Sequence, residues 1–248
     1  MEIVDQVFET CVAQLRQVQQ EEAGAIRAAG EWVGRAIADG KGFYLFGSGH
    51  SAFIARDAFW RAGGLAPALP ILDPLGGDAE RMEGYAAILL AHYQLTPGGV
   101  IIVISNSGIN ALPVEVAMIC RQRGLKVVAL TSRSHSSQVA SRHSSGKKLM
   151  ELADLVIDTH GIPGDASLVL PGSDLSVAPT STVIGAAIIQ SICATAAGCM
   201  AAWGLQPPVI VSMNLPYGDD WNQALAERYH PKLVRYEVPL VEPVNKGE

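Results

Sequence analysis

Through the middle of this chain, short apolar runs alternate with stretches of helical spacing, and that alternation leaves few folds open. Residues 43–46, 67–72, 100–105, 126–131 and 155–158 are short and almost continuously apolar, which reads as buried strand. Between them, residues 52–62, 78–95 and 112–123 place apolar side chains three and four apart and are predicted as helices. Strands separated by helices are joined by crossovers, which gives a parallel sheet covered on both faces. The expected fold class is therefore α/β, and such sheets hold ligands in the crevice at the carboxyl ends of their strands.

Ahead of the first strand, Ile3, Val7, Cys11, Leu15 and Val18, then Ile26, Val33 and Ile37, recur at helical spacing. Residues 1–40 read as an N-terminal helical arm divided near Gly24 and Gly30, residues 41–205 as the core, and residues 206–248 as an extension. That extension is expected to pack on the core or on a neighbouring subunit, with a short strand at 209–211 and a tail at 239–248.

The chain has 248 residues, 49% of them hydrophobic and only 17% charged, so a disordered chain is excluded. A net charge of −6 excludes a nucleic-acid binder that works through a basic face. Between Asp174 and Asp219 there is no Asp, Glu, Lys, Arg or His, so this stretch is expected to hide inside the protein or against another subunit. Residues 183–205 are long enough to span a bilayer. Their Ala and Gly content, the interruptions at Gln190, Ser191 and Thr195, and the lack of flanking Lys or Arg point instead to a helix buried on all sides in protein. Cys11, Cys120, Cys193 and Cys199 form no CxxC pair and read as free thiols in a reducing compartment. The N-terminus has no basic segment before an apolar run, so a cytoplasmic protein is expected.

Chemistry is concentrated in the turns after the strands. Gly47-Ser48-Gly49-His50-Ser51-Ala52 follows the first strand and opens a helix, where two glycines allow a tight turn and free amides and hydroxyls suit an anion. The string also fits a loose dinucleotide fingerprint, with Asp73 near the place of a ribose-binding acid. Ser105-Asn106-Ser107-Gly108 repeats the hydroxyl and glycine pattern after the third strand, and two such turns side by side suit one phosphate better than a dinucleotide. A third hydroxyl cluster, Pro179-Thr180-Ser181-Thr182, precedes the uncharged helix; Ser181 and Thr182 each also suit a simple helix cap.

The order of a helical arm, FYLFGSGHSA, VIIVISNSGIN, LKVVALTS and a helix after PTST resembles the sugar isomerase (SIS) domain family, over roughly residues 1–230. Within it, the chain is similar to bacterial SIS proteins related to phosphoheptose isomerase. The resemblance implies a three-layer α/β/α sandwich with a five-stranded parallel sheet in flavodoxin-like order. It implies a sugar phosphate held by Ser51, Ser105, Ser107 and Thr182, with Ser48, Asn106 and Asn110 nearby. It also implies a homodimer or homotetramer with sites at subunit contacts; no metal pattern is read from the residues, and isomerisation through an enediol(ate) calls for no organic cofactor.

The likeness stops at the base. Phosphoheptose isomerases carry a Glu where this chain has Arg61, and their His in the last core helix has no counterpart in residues 183–205. Aldose–ketose isomerisation needs a base for a carbon-bound proton and an acid/base for the two oxygens. Glu83, three residues from Glu80 on one helix face, is the preferred base. His50 lies in the first motif, His160 and Asp165 follow the fifth strand, and His230 is a candidate donor to a neighbouring subunit. Residues 131–145, rich in Ser and carrying Arg133 and Arg142, read as a basic loop able to close over an anionic substrate. His135 and His143 form no metal-ligand motif. Three readings stand: a sugar-phosphate isomerase, a phosphosugar sensor without chemistry and, least favoured, a dinucleotide-dependent oxidoreductase.

Overall fold

The computed structural model of the chain describes residues 2–230. Five strands, β1 (Phe43–Gly47), β2 (Ala68–Ile71), β3 (Val100–Ile104), β4 (Lys126–Thr131) and β5 (Leu155–Asp158), form one parallel sheet in the order β2-β1-β3-β4-β5. This is the flavodoxin-like order, and the winding reverses between β1 and β3, where the crevice opens. The helices are α1 (Ile3–Glu21), α2 (Ala23–Ala38), α3 (Ser51–Asp57), α4 (Tyr85–Leu90), α5 (Ala111–Gln122), α6 (Arg133–Gln138), α7 (Leu149–Leu152), α8 (Ser181–Ala202) and α9 (Gly218–Tyr229).

Strand side chains alternate between two cores, so the central strands are apolar on both faces. Phe43, Leu45, Ile102 and Leu130 pack with α2, α3 and α8, and Tyr44, Phe46, Ile101 and Val103 pack with α4, α5 and α7. The α/β/α sandwich read from the sequence is the observed architecture. Pro70 sits on β2, an edge strand, where a missing N–H leaves no gap in a ladder.

Several expectations are corrected. The helix expected over residues 78–95 shrinks to α4, because Gly76, Gly77 and Gly84 adopt positive φ and turn the preceding chain into a loop. The helix expected over 52–62 ends with α3 at Asp57. The strand expected at 209–211 is a single bridge from Val209 to Leu65. An antiparallel hairpin of β6 (Ala166–Val169) and β7 (Ser176–Pro179) was not read from the sequence.

Within the N-terminal helices, α2 is built into the core layer. A Cβ on Gly30 would lie 2.5 Å from Thr195 Cβ, so α2 and α8 meet at backbone distance. Helix α8 is not buried on all sides. Its inner face carries Ile184, Ile188, Ile192 and Cys193, while Val183, Ser191, Ala194, Gly198 and Ala201 face outward. A helix whose inner face is locked into a sheet layer is a component of this sandwich rather than a membrane span. The tail expected at 239–248 lies outside the described residues.

Candidate functional site

Gly47 at the end of β1 pairs with Ile104 at the end of β3, so the two Ser/Gly turns emerge side by side. A Cβ on Gly47 would lie 2.5 Å from the Ser51 carbonyl oxygen, and only glycine lets strand pass to helix this tightly. In the second turn, Ser105 Oγ accepts the Gly108 N–H at 3.2 Å and closes the loop. The Asn106 carbonyl accepts the Ser132 N–H at 2.9 Å, and its Oδ1 accepts the Thr159 hydroxyl at 3.4 Å. Asn106 therefore pins the turn to β4 and β5.

The remaining polar atoms are unspent. Ser48 is buried, Ser51 and Ser107 are half-buried, and none of their hydroxyls bonds to any described residue. The Nδ2 of buried Asn110 is likewise without an acceptor among the described residues. Donors gathered at one place and not used by the fold are open to a ligand or water. His50 stands exposed at the rim, its ring 5.9 Å from that of Phe53.

Two loops flank this cradle. The loop after β2 runs over the first turn, where a Cβ on Gly77 would lie 3.0 Å from Gly49 Cα. Asp73 shapes that loop by accepting the Leu75 N–H at 2.9 Å, the Gly77 N–H at 3.1 Å and the Tyr85 hydroxyl at 3.0 Å. Burial, aided by the Asp73 bond, pushes the Tyr85 hydroxyl up to about 12. With its carboxylate committed to this loop, Asp73 is a poor candidate for a ribose-binding acid.

Glu83 ends the same loop and is held from across the crevice. Its two oxygens accept the Ser144 N–H and the Ser144 hydroxyl, each at 2.6 Å. These bonds hold the Glu83 carboxyl below its ordinary value. Beside it, His143 Nε2 lies 3.5 Å from Glu115 and 3.9 Å from Glu83, while its Nδ1 accepts the Ser145 N–H at 3.1 Å. Glu115 in turn accepts the Gly84 N–H at 2.7 Å. Residues 73–84 and 139–148 are thus fastened to each other, through a Glu115 and a His143 to which sequence reasoning gave no site role.

The third hydroxyl cluster is arranged differently from the expectation. Asp165, at a left-handed φ of 66°, accepts the Ser181 N–H at 3.0 Å, the Thr180 N–H at 3.3 Å and the Ser181 hydroxyl at 2.6 Å. A carboxylate of the chain itself therefore caps α8, and Thr182 faces solvent. The α8 start still neighbours α3, since a Cβ on Gly185 would lie 2.6 Å from Ile54 Cδ1.

The SIS domain model matches residues 6–132. A UPF0309 protein of Shouchella clausii is 41% identical over 239 residues, covering 92% of this chain and 97% of its own. The chain belongs to the UPF0309 family of SIS-domain proteins. A phosphoheptose isomerase of Francisella tularensis shares the fold at 18% identity and a TM-score of 0.55, over 80% of this chain and all of that one. The Vibrio vulnificus NanR protein complexed with ManNAc-6P does so at 17% identity and a TM-score of 0.52, over 94% of this chain and 71% of that one.

In this UPF0309 protein, Arg61 forms an exposed ion pair with Asp57 and adds no free cation to the cradle. His160, at φ 52°, sits 3.6 Å from Glu22, 3.7 Å from Glu21 and 3.8 Å from Asp158. Gln14, whose amide donates to the Thr159 carbonyl at 2.7 Å, ties α1 to the end of β5. His230 does not join the candidate site. Its Nε2 lies 2.6 Å from the Ala66 carbonyl, just ahead of β2, and its ring meets the edges of Phe59 and Trp60. That is the amino end of the sheet, opposite the cradle. Burial lowers the His230 pKa, which suits a packing role better than proton transfer to a neighbour. Among the described residues, no group of three or more His, Cys, Asp or Glu is placed to hold a metal ion.

Proposed function

We propose that this SIS protein binds a phosphorylated sugar at the carboxyl ends of β1 and β3 and interconverts its aldose and ketose forms. The observation that carries this reading is the set of unpaired donors on Ser48, Ser51, Ser107 and Asn110, gathered where two turns meet. Neutral hydroxyls and amides in this number match phosphate oxygens, which accept several bonds each.

The isomerisation proceeds through an enediol(ate). A base removes the proton from the carbon beside the carbonyl, the electron pair forms the carbon–carbon double bond, and the proton returns to the adjacent carbon. A proton also moves from the hydroxyl to the former carbonyl oxygen. Nothing is oxidised or reduced overall, so no redox cofactor is required. Glu83 is the base in this reading: it is ionised at neutral pH and borders the cradle. Each of its oxygens accepts one bond from Ser144 and keeps a second lone pair for a proton, and the two bonds stabilise the carboxylate and so weaken it as a base. His50, exposed at the rim, serves the substrate oxygens.

A second reading, a phosphosugar sensor without chemistry, is favoured by that same engagement of Glu83. Incubation with pentose to heptose phosphates in deuterated water separates the two. An isomerase exchanges a carbon-bound proton, and E83Q is expected to abolish exchange while phosphosugar binding persists. Undiminished exchange by E83Q removes Glu83 from the mechanism, and binding without exchange by the wild-type protein leaves the sensor.

The same reading includes a homo-oligomer in the cytoplasm. Cys120 and Cys193 are buried free thiols, pushed up to about 12 by desolvation, and suit a reducing compartment. A hollow of about 220 Å³ between α1, α2 and α8, lined by Leu15, Val18, Ile26 and Ile188, adjoins the uncharged outer face of α8.

A further inference from the structure

A cradle of hydroxyls has no charge of its own, and the named acids Glu83 and Glu115 stand on its flanks. A phosphate monoester carries about −1.5 to −2 at neutral pH, so hydroxyls alone would hold it against that field. The cradle motifs GSGHS and SNSGIN contain neither Lys nor Arg, so a cation that offsets these acids has to come from elsewhere in the chain.

The loop over residues 139–148 brings Arg142, Lys147 and Lys148, and of these Arg142 is the one bonded to Asn110. It is fixed to the second turn by two backbone bonds, Arg142 N–H to the Ile109 carbonyl and Leu149 N–H to the Gly108 carbonyl, each 2.8 Å. Across the crevice, Ser144 holds the same loop to Glu83. Between these anchors, Arg142 Nη1 donates to Asn110 Oδ1 at 2.8 Å. That bond fixes the Asn110 amide with its Nδ2 turned away from the arginine and free to donate. Asn110 precedes α5 yet caps none of its amides with its side chain, so it is not spent on the helix. Arg142 is exposed, makes no ion pair among the described residues and keeps its other N–H donors unfilled. Holding a loop to an asparagine takes one neutral donor. A guanidinium with its charge uncompensated and its donors open is built to meet an anion.

We infer that Arg142, carried on the loop between α6 and α7 and oriented by Asn110, is the cation that recognises the phosphate of the bound sugar. This rests on the phosphosugar reading above and deepens it. The loop then does more than border the site, since the same anchors that hold it in place hold the arginine beside Asn110. A neutral sugar of the same shape gains nothing from Arg142, so the residue selects for phosphorylated ligands.

Calorimetric titration of inorganic phosphate and of glucose 6-phosphate tests this on the wild-type protein, R142Q, R142K and S107A. R142Q is expected to weaken both ligands about tenfold or more while keeping the wild-type thermal transition. R142K keeps the charge but loses the planar fork and is expected to lie between the two. If R142Q binds as tightly as wild type while S107A does not, the arginine has no part in recognition and the cradle stands without it. If R142Q fails to fold, R142K decides, and wild-type affinity in R142K overturns the inference. If the wild-type protein binds neither ligand, the phosphosugar reading itself falls and the role of Arg142 falls with it.

Discussion

At the residue scale, the telling distinction is between side chains the fold uses and side chains it leaves free. Ser105 and Ser107 are two apart in the same turn, yet Ser105 closes the loop through Gly108 and Ser107 bonds to nothing described. Ser107→Ala is therefore expected to leave stability within about 0.5 kcal/mol of wild type, as at an uninvolved surface position. The same change should cost about 1.5–3 kcal/mol of phosphosugar binding, roughly ten- to a hundredfold in Kd, the worth of a hydrogen bond to a charged group. Thermal melting and titration on one preparation check both halves, and a variant that unfolds early assigns Ser107 to the fold instead. The two turns were legible in the sequence because glycine, serine and a preceding apolar run are local signals. The contact of His230 with Ala66 and the capping of Ser181 by Asp165 were not legible for the opposite reason: each partner lies in another element of the chain.

At the scale of elements, the strands were legible and the loop after β2 was not. The apolar spacing over residues 78–95 fits a helix, but Gly76, Gly77 and Gly84 at positive φ break it, and the freed amides find Asp73 and Glu115. Glu115 lies on the next helix, so no local pattern announces the contact. The docking of α9 carries a pH signature of its own. Burial sets the His230 pKa below its ordinary 6.5, so the folded state favours the neutral ring. Below pH 6.5 the unfolded chain binds the proton more readily than the folded one, and stability falls as pH falls through that window. Melting temperatures between pH 7.5 and pH 5.5 should therefore decline in the wild-type protein and decline less in His230→Gln. Equal slopes in the two proteins would show that His230 does not carry the dependence.

At the scale of the whole molecule, the absence of charge between Asp174 and Asp219 has two physical origins. The inner face of α8 needs no charge because it is core, packed on α2 at the distance Gly30 permits. Its outer face is uncharged although solvent reaches it, and small side chains there make it smooth rather than greasy. Beside it, α1 leaves Ile3, Val4, Phe8 and Val12 exposed, Phe8 to 68%, with Val4, Phe8 and Val12 four residues apart along one face. An apolar stripe of this kind, next to an uncharged helix face and a hollow, is what a subunit contact covers. A symmetric pair would bury both features at once, since each copy presents the stripe and the face that receives it. Sedimentation velocity is expected to show a homodimer or larger assembly, and Phe8→Glu to shift it toward monomer, because a carboxylate placed in the contact loses its water. A monomeric wild-type protein at tens of micromolar would leave the stripe unexplained and would remove the oligomer from the proposed function. A dimer unaffected by Phe8→Glu would move the contact off α1 and toward the extension after α8.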